Sequence, residues 1–243
     1  MVRVKEFFKS LKWYDYVIIS SLLIATLTLG LVFHSDTITI LSAIMGAFGV
    51  FFIAKGSVAG QFFMIIKAIF YSIISFMNKF YGEVIISCAI SIPICLATII
   101  MWFRNLDSPN GQIKIRGKMT WKEFLIASFV CVAISVGIYF FLEYFNTRFC
   151  ILSTFAFFFS LIGSYLSFRR CEYNFIFFII NTILCITMWL LLVIADNNVS
   201  QIITFVSYLI NFTTNIFGIF IWIKLKKKQG EKNDGTSCTS REL

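Results

Sequence analysis

Residues 201–228 read QIITFVSYLINFTTNIFGIFIWIKLKKK, and they are the clearest indication of the fold class. No charged residue occurs from position 201 to position 223, and a cluster of lysines follows directly. The hydrocarbon core of a bilayer is about 30 Å thick and needs roughly 20 apolar residues in a helix. The stretch therefore predicts a membrane-spanning helix that ends where the lysines begin.

Seven further runs have the same character. The chain has 243 residues, of which 59% are hydrophobic and 14% charged, whereas a soluble domain carries about 25% charge. Strands are excluded because each run must satisfy its own backbone groups in lipid. We therefore predict an all-α polytopic membrane protein with eight transmembrane helices, and no cleavable signal precedes them. The predicted spans are 14–33, 37–54, 61–78, 82–103, 122–142, 148–168, 173–194 and 199–223.

The basic residues predict the orientation. Nearly all of the 21 lysines and arginines lie in the two termini and in every second loop, and only Lys79 and Arg148 lie in the loops between. Because cytoplasmic loops are enriched in Lys and Arg, both termini are predicted to be cytoplasmic. This distribution also explains the net charge of +9 without nucleic acid as a partner.

A weak internal repeat predicts the domain organisation. Leu41-Ser42 has a counterpart in Leu152-Ser153, and Trp102 has one in Trp222. Two groups of three spans separated by one linker helix have the same orientation, an arrangement that places a binding site between them. The predicted units are an N-terminal tail with an extra helix, a first repeat, a loop with a linker helix, a second repeat and a disordered basic tail, covering residues 1–35, 36–104, 105–145, 146–223 and 224–243.

Polar side chains in the last span form one helical face. Tyr208, Asn211, Asn215, Gly218 and Trp222 follow one another at intervals of three or four residues. Two amides and an aromatic ring on this face could hold a polar ring compound. Asparagines also bond neighbouring helices in membranes, so both roles stay open here.

Other spans contribute fewer polar residues. Asn181 lies near the middle of its span, and Cys95 and Trp102 share a stripe with Ser91 and Thr98. Lys67 is the only charge well inside a run. Its side chain could extend towards the cytoplasmic headgroups or face a ligand.

Several chemistries are not indicated by the sequence. No carboxylate or histidine lies deep in any run, and proton-coupled carriers usually depend on such groups. The seven cysteines form no CxxC pair and no metal-ligand pattern. We therefore expect no cofactor, no metal site and no enzyme activity, and we favour uncoupled transport.

The chain resembles the PnuC family of bacterial vitamin and nicotinamide riboside transporters from about residue 36 to residue 226. The stretches that carry the resemblance are Ala54-Lys55-Gly56, Tyr81-Gly82-Glu83, Pro93 with Trp102, Arg116 to Lys122, Leu166 to Arg170, and Tyr208 to Asn211 with Gly218 and Trp222. The family is similar to the SWEET-like sugar carriers with their 3-1-3 helix plan. The resemblance implies a multi-pass protein of the bacterial inner membrane, with span 14–33 as an extra helix.

The resemblance also implies a function and a set of site residues. It implies a facilitative carrier (uniporter) for a vitamin or vitamin precursor, first of all nicotinamide riboside, whose net uptake is driven by a cytosolic kinase. The implied substrate-binding residues are Asn181, Asn211, Asn215, Tyr208, Phe177, Tyr71, Lys67, Cys95, Trp102 and Trp222. The implied partners are this small molecule and the lipid bilayer, and a homo-oligomer is left open.

The sequence departs from the family where the cargo would be recognised. Asn174 and Phe177 stand where riboside carriers have a Trp-x-x-Trp pair, and Lys67 takes an amide position. Thiamine, riboflavin or a nucleoside, including a deoxynucleoside, therefore stay open as cargo. A substrate-capture subunit of an energised vitamin importer is the alternative function, and a membrane enzyme is disfavoured for lack of a catalytic motif.

Overall fold

The computed structural model describes residues 13–32, 35–77, 81–107, 112–116, 119–147, 149–196 and 200–239. In these ranges the chain is almost wholly helical. The α-helices are α1 (Trp13–Val32), α2 (Thr37–Ala54), α3 (Ala59–Met77), α4 (Tyr81–Ile86), α5 (Ile92–Arg104), α6 (Trp121–Tyr144), α7 (Cys150–Phe168), α8 (Asn174–Asp196) and α9 (Ser200–Thr239). Two short strands, β1 (Leu106–Asp107) and β2 (Gln112–Ile113), pair in antiparallel fashion between α5 and α6.

Eight helical segments of the described residues are long and apolar enough to cross a membrane. Each predicted span coincides with one of them, so the prediction of an all-α protein with eight transmembrane helices is confirmed. The fourth span, Val84–Arg104, combines α4 and α5 with a π-helical turn between them.

The π-helical turn covers Ser87–Ser91 and precedes Pro93. The N–H of Ile92 bonds the carbonyl of Ser87, which is the wider spacing of a π-turn. Proline has no N–H to donate and its ring crowds the preceding turn, so an α-helix must be interrupted near it. The wider turn places Ser87 and Ser91 on the inner side of the span, facing the cavity described below.

The helices pack in two groups that meet along two seams. In the first group α3 packs on α2 and α5, and in the second α8 packs on α7 and α9. Between the groups, α2 packs on α9 and α5 packs on α7. Helix α6 packs on α7, and α1 packs on α2, where Asp15 pairs with Lys55. This pattern accords with the predicted 3-1-3 plan, whose repeats and domain boundaries stay predictions.

Helices α2 and α7 end in the same kind of turn. The C-cap residues, Lys55 and Arg169, both have φ −77° and ψ −2°. The next residues, Gly56 and Arg170, have positive φ values of 70° and 59°. Such a left-handed residue after a helix satisfies its last carbonyls, and glycine adopts it without a steric penalty. Each turn closes with a bond of 2.9 Å, from Ser57 N to Phe52 O and from Cys171 N to Leu166 O.

Residues 112–116 cross this end of the bundle and connect the two turns. Ile113 N donates to the carbonyl of Gly56 (2.9 Å), and Arg116 N donates to the carbonyl of Arg170 (3.1 Å). Ile113 is fully buried in a cluster with Trp102 and Trp222. We call residues 112–116 the strap.

Helix α9 is longer than the sequence predicts. The composition of residues 224–243 predicts a disordered tail. In the structure α9 continues past the membrane span and ends at Thr239. Lys226 pairs with Glu172, and Gln229 exchanges hydrogen bonds with the strap, accepting from Ile115 N (2.9 Å) and donating to Ile113 O (3.0 Å). These tertiary contacts hold the first part of the tail in place, and they are invisible to a composition argument. Residues 240–243 lie outside the described residues.

Candidate functional site

A cavity of about 290 Å³ lies between the two groups of helices. Helices α2, α3, α5, α7, α8 and α9 and the π-helical turn all contribute to its wall. Its polar lining consists of Gln61, Lys67, Tyr71, Ser87, Ser91, Thr98, Ser153, Ser160, Ser164, Ser167, Asn181, Thr182, Tyr208, Asn211 and Asn215. Polar groups inside a lipid-embedded bundle mark substrate sites and pathways, which makes this cavity the candidate site.

Most of the predicted site residues meet at this cavity. Those that line it are Lys67, Tyr71, Cys95, Asn181, Tyr208, Asn211 and Asn215. They come from four different spans, and their convergence supports the periodicity argument. Phe177, Trp102 and Trp222 do not line it.

Asn211 and Asn215 of α9 combine the two roles that the sequence left open. Asn215 is buried and donates from Nδ2 to the hydroxyl of Thr182 on α8 (3.4 Å), so it links two helices. Asn211, one turn away, is 9% exposed and also borders the cavity. Its amide can donate two hydrogen bonds and accept two, which suits hydroxyl or amide groups on a cargo.

Lys67 extends into the cavity and not towards the membrane surface. Its ammonium lies 6.0 Å from the centre of the Tyr208 ring, on the opposite side of the bundle. Its carbon stem packs on Gly46 of α2, where a Cβ atom would come within 3.1 Å of Lys67 Cδ. Gly46 therefore makes room for the lysine, and the orientation is fixed by packing.

Trp102 and Trp222 seal one end of the cavity instead of lining it. Both indoles are fully buried, and their ring centres are 5.9 Å apart. Each donates its N–H to a helix-end carbonyl, Trp102 to Ser167 (2.9 Å) and Trp222 to Ile53 (3.0 Å). We call this end of the bundle the tryptophan end. The indole donors are used in these bonds, which is why neither tryptophan presents a polar group to the cavity.

Phe177 is one of the binding residues that the resemblance implies, yet it packs away from the cavity. Its ring lies 6.0 Å from that of Phe124 on α6 and 6.4 Å from that of Phe159 on α7. The next residue, Phe178, lines the cavity instead. Phe178 fits there because Gly163 faces it, and a Cβ atom at Gly163 would come within 2.9 Å of the ring.

Sequence reasoning missed a row of serines on α7. Ser153, Ser160, Ser164 and Ser167 line the cavity at intervals of seven, four and three residues. This spacing is that of one helical face and was visible in the sequence. Gln61 was also missed, because it stands at the start of its span and resembles an interfacial residue.

Charges are distributed unevenly between the cavity and the tryptophan end. Among the described residues that line the cavity, Lys67 is the only Lys, Arg, His, Asp or Glu. No group of metal-ligating side chains occurs in the part of the chain that the structure describes. At the tryptophan end, Glu123 bonds Arg116 (3.0 Å) and also pairs with Arg169. The hydrogen bond from Arg116 to Glu123 raises the pKa of that guanidinium.

Comparison with known proteins identifies the fold and the family. The profile of the family described as "Nicotinamide mononucleotide transporter" matches residues 36–224. A relative from Neisseria mucosa, "Nicotinamide riboside transporter PnuC", is 22% identical over 204 residues, which cover 81% of this chain and 76% of the relative. The solved structure "Crystal structure of the Vitamin B3 transporter PnuC" superposes with a TM-score of 0.78 at 19% identity, covering 92% of this chain and 96% of that one.

The structural similarity shows that this chain has the fold of that solved structure, because the two superpose over nearly their full length. The family match extends from the start of α2 to the end of the last membrane span and leaves out α1, in keeping with α1 as an additional helix. The eight spans and the matched profile together make this a multi-pass membrane transport protein. The chain belongs to the nicotinamide mononucleotide transporter family, as its resemblance to PnuC proteins predicted.

Proposed function

We propose that this protein is a facilitative transporter that carries a vitamin B3 nucleoside, with nicotinamide riboside as the reference cargo. The protein lies in the bacterial inner membrane with both termini, and hence the tryptophan end, in the cytoplasm. Lys55, Arg116 and Arg169 all lie at that end, as the excess of basic residues in cytoplasmic loops requires.

One observation carries this proposal: a cavity whose polar lining consists mainly of amides and hydroxyls lies within an apolar bundle. Asn181, Asn211 and Asn215 can bond the hydroxyls of a ribose and the substituent of a pyridine ring. Tyr208 and Phe178 offer aromatic faces on which a planar ring can stack. A polar cavity at the interface of two helix groups is where transporters hold their cargo.

The chemistry of the wall favours uniport over ion coupling. Among the described lining residues there is no carboxylate or histidine that could relay a proton. A uniporter only equilibrates free cargo, so net uptake needs a reaction that removes the cargo inside. Phosphorylation by a cytosolic kinase does this, because the charged product no longer returns through the carrier.

The same arrangement suits a carrier that opens to one side of the membrane at a time. The tryptophan end is closed by the indole pair, by the strap and by the Glu172–Lys226 pair. Opening requires the seams between α2 and α9 and between α5 and α7 to separate at this end.

The test is counterflow in proteoliposomes. Vesicles preloaded with unlabelled nicotinamide riboside should take up the labelled compound, and a protonophore or replacement of sodium should leave the rate unchanged. An entrapped nucleoside kinase with ATP should convert equilibration into accumulation. Exchange of labelled thiamine, riboflavin or uridine in place of the riboside would assign another cargo to the same fold.

Binding of the cargo without exchange would contradict transport by this chain alone. Protein that binds nicotinamide riboside but catalyses no exchange in liposomes would be a substrate-capture subunit of an energised importer. Binding is measured by calorimetry on the same preparation, so that an inactive sample is recognised by the loss of both binding and exchange.

A further inference from the structure

Lys67 brings an ammonium group into the cavity, and no carboxylate occurs among the described residues that line it. No residue that the structure describes forms a salt bridge or a hydrogen bond with the Lys67 ammonium. The groups that face it are the ring of Tyr208 and the thiols of Cys95 and Cys185. These groups are polarisable but neutral, so none of them balances the charge.

The lysine is held in place by the packing around it. Gly46 leaves the space that its stem occupies, and a Cβ atom there would come within 3.5 Å of the ammonium nitrogen itself. A buried cation in a membrane protein is expensive unless an anion or a set of acceptors compensates it. A position built to hold an uncompensated cation in a binding cavity indicates that the compensating anion arrives with the ligand.

We propose that the cargo carries a carboxylate and that this group binds beside the Lys67 ammonium. The proposal rests on the proposed function and refines its substrate class. A pyridine ring joined to ribose through its nitrogen carries a fixed positive charge, which Lys67 repels when the ring substituent is a neutral amide. A carboxylate in place of the amide makes the cargo a zwitterion and turns that repulsion into attraction.

A carboxylate matches the wall better than a phosphate. A phosphate monoester carries about −1.5 to −2 charges at neutral pH and is usually bound by several cations or backbone donors. Here a single lysine faces a wall whose other described polar groups are neutral amides and hydroxyls. One ammonium can pair locally with one carboxylate, and the amides of the wall are available for the ribose.

The test compares ligands that differ only in this substituent. Binding of nicotinic acid riboside, nicotinamide riboside and nicotinamide mononucleotide is measured by calorimetry on the purified full chain. The variants are Lys67→Met, which removes the charge at similar volume, and Lys67→Arg, which keeps it. Lys122→Met is the matched control, because Lys122 is exposed and lies outside the cavity.

The acid riboside should bind the wild-type protein at least about tenfold more tightly than the amide, as expected for one charge-assisted contact. Lys67→Met should abolish or invert this ratio, and Lys67→Arg and Lys122→Met should retain it. The ratio is taken within each variant, so partial unfolding does not affect it.

Three outcomes would overturn the assignment. Equal or tighter binding of the amide by the wild type, with no change in Lys67→Met, refutes the carboxylate and leaves the proposed function intact. If the mononucleotide binds most tightly, the group that binds beside Lys67 is a phosphate and the carboxylate proposal is refuted. Binding of none of the three pyridine compounds refutes the proposed cargo class and the carboxylate together.

Discussion

Trp102 and Trp222 form reciprocal hydrogen bonds at the tryptophan end, because each indole bonds the helix group to which the other belongs. Each ends the third membrane span of its own group and donates its indole N–H to the end of the first span of the other group. The acceptors, Ser167 and Ile53, occupy the same place before the matched turns of α7 and α2. The C-terminal ends of these four spans therefore meet at one end of the bundle, which supports the predicted parallel orientation of the two triplets.

The first prediction concerns these two indoles. Trp222→Phe keeps an aromatic ring and removes the donor to Ile53 O, leaving a buried carbonyl without its partner. We expect a loss of about 1–3 kcal/mol in the free energy of unfolding, and a similar loss for Trp102→Phe because the two bonds are equivalent. Thermal unfolding in detergent measures both changes.

The matched control for both variants is Trp121→Phe, since Trp121 is 70% exposed at the start of α6. It should leave the unfolding midpoint nearly unchanged. A loss confined to one of the two buried indoles would show that the reciprocal bonds are not energetically equivalent.

The second prediction concerns Asn211. Asn211→Ala removes hydrogen-bonding groups from the cavity wall and should lower cargo affinity by about two- to tenfold, the net effect of one hydrogen bond. Membrane expression should stay normal, because Asn211 makes no bond to the described helices that would be lost. Calorimetry and initial counterflow rates on purified protein check the effect.

Thr213→Ala is the control on the same helix. Thr213 is exposed and its hydroxyl bonds only the carbonyl of Leu209 within α9. Affinity and transport that are unchanged by Asn211→Ala would remove this amide from the site.

The third prediction compares two glycines. A Cβ atom at Gly218 would lie 2.4 Å from the ring of Phe175, which is fully buried and has no space to move. Gly218→Ala should therefore destabilise the protein by about 1–3 kcal/mol, as overpacking usually does.

Gly137 on α6 serves as the control, because nothing lies within 4 Å of a Cβ atom there. Gly137→Ala should be neutral or stabilising by up to about 1 kcal/mol, from helix propensity alone. Equal unfolding midpoints for the two variants would contradict the close packing of α8 against α9.

The fourth prediction concerns the strap. Gln229→Ala removes the acceptor of the Ile115 amide and the donor to Ile113 O. Hydrogen exchange at Ile115 should accelerate strongly, whereas Ile113 should keep more protection because its own N–H bonds Gly56 O.

Lys228→Ala, at the exposed neighbour of Gln229, should leave both amides as they are in the wild type. If Gln229→Ala also speeds exchange of preloaded cargo, opening at the tryptophan end limits transport. Unchanged protection at Ile115 would mean that Gln229 does not hold the strap in solution.

The membrane class, the number of spans and the polar face of the last span could be predicted from the sequence. Run length decides whether a helix crosses a bilayer, and helical periodicity decides which residues share a face. These are local properties, so Asn211 and Asn215 could be placed on one polar face from their spacing, whereas the direction of Lys67 stayed open until its contact with Tyr208 was seen.

Contacts between helices determine which residue of each face reaches the cavity and which residue closes one end of it. Phe177 and Phe178 are adjacent, and only the position of α6 and Gly163 determines that Phe178 lines the site. Trp222 closes one end of the cavity because its indole N–H donates to the carbonyl of Ile53. The start of the tail is helical and held in place because Gln229 bonds the strap. Such outcomes depend on distances between segments far apart in the chain, and a pattern within one segment carries no information about them.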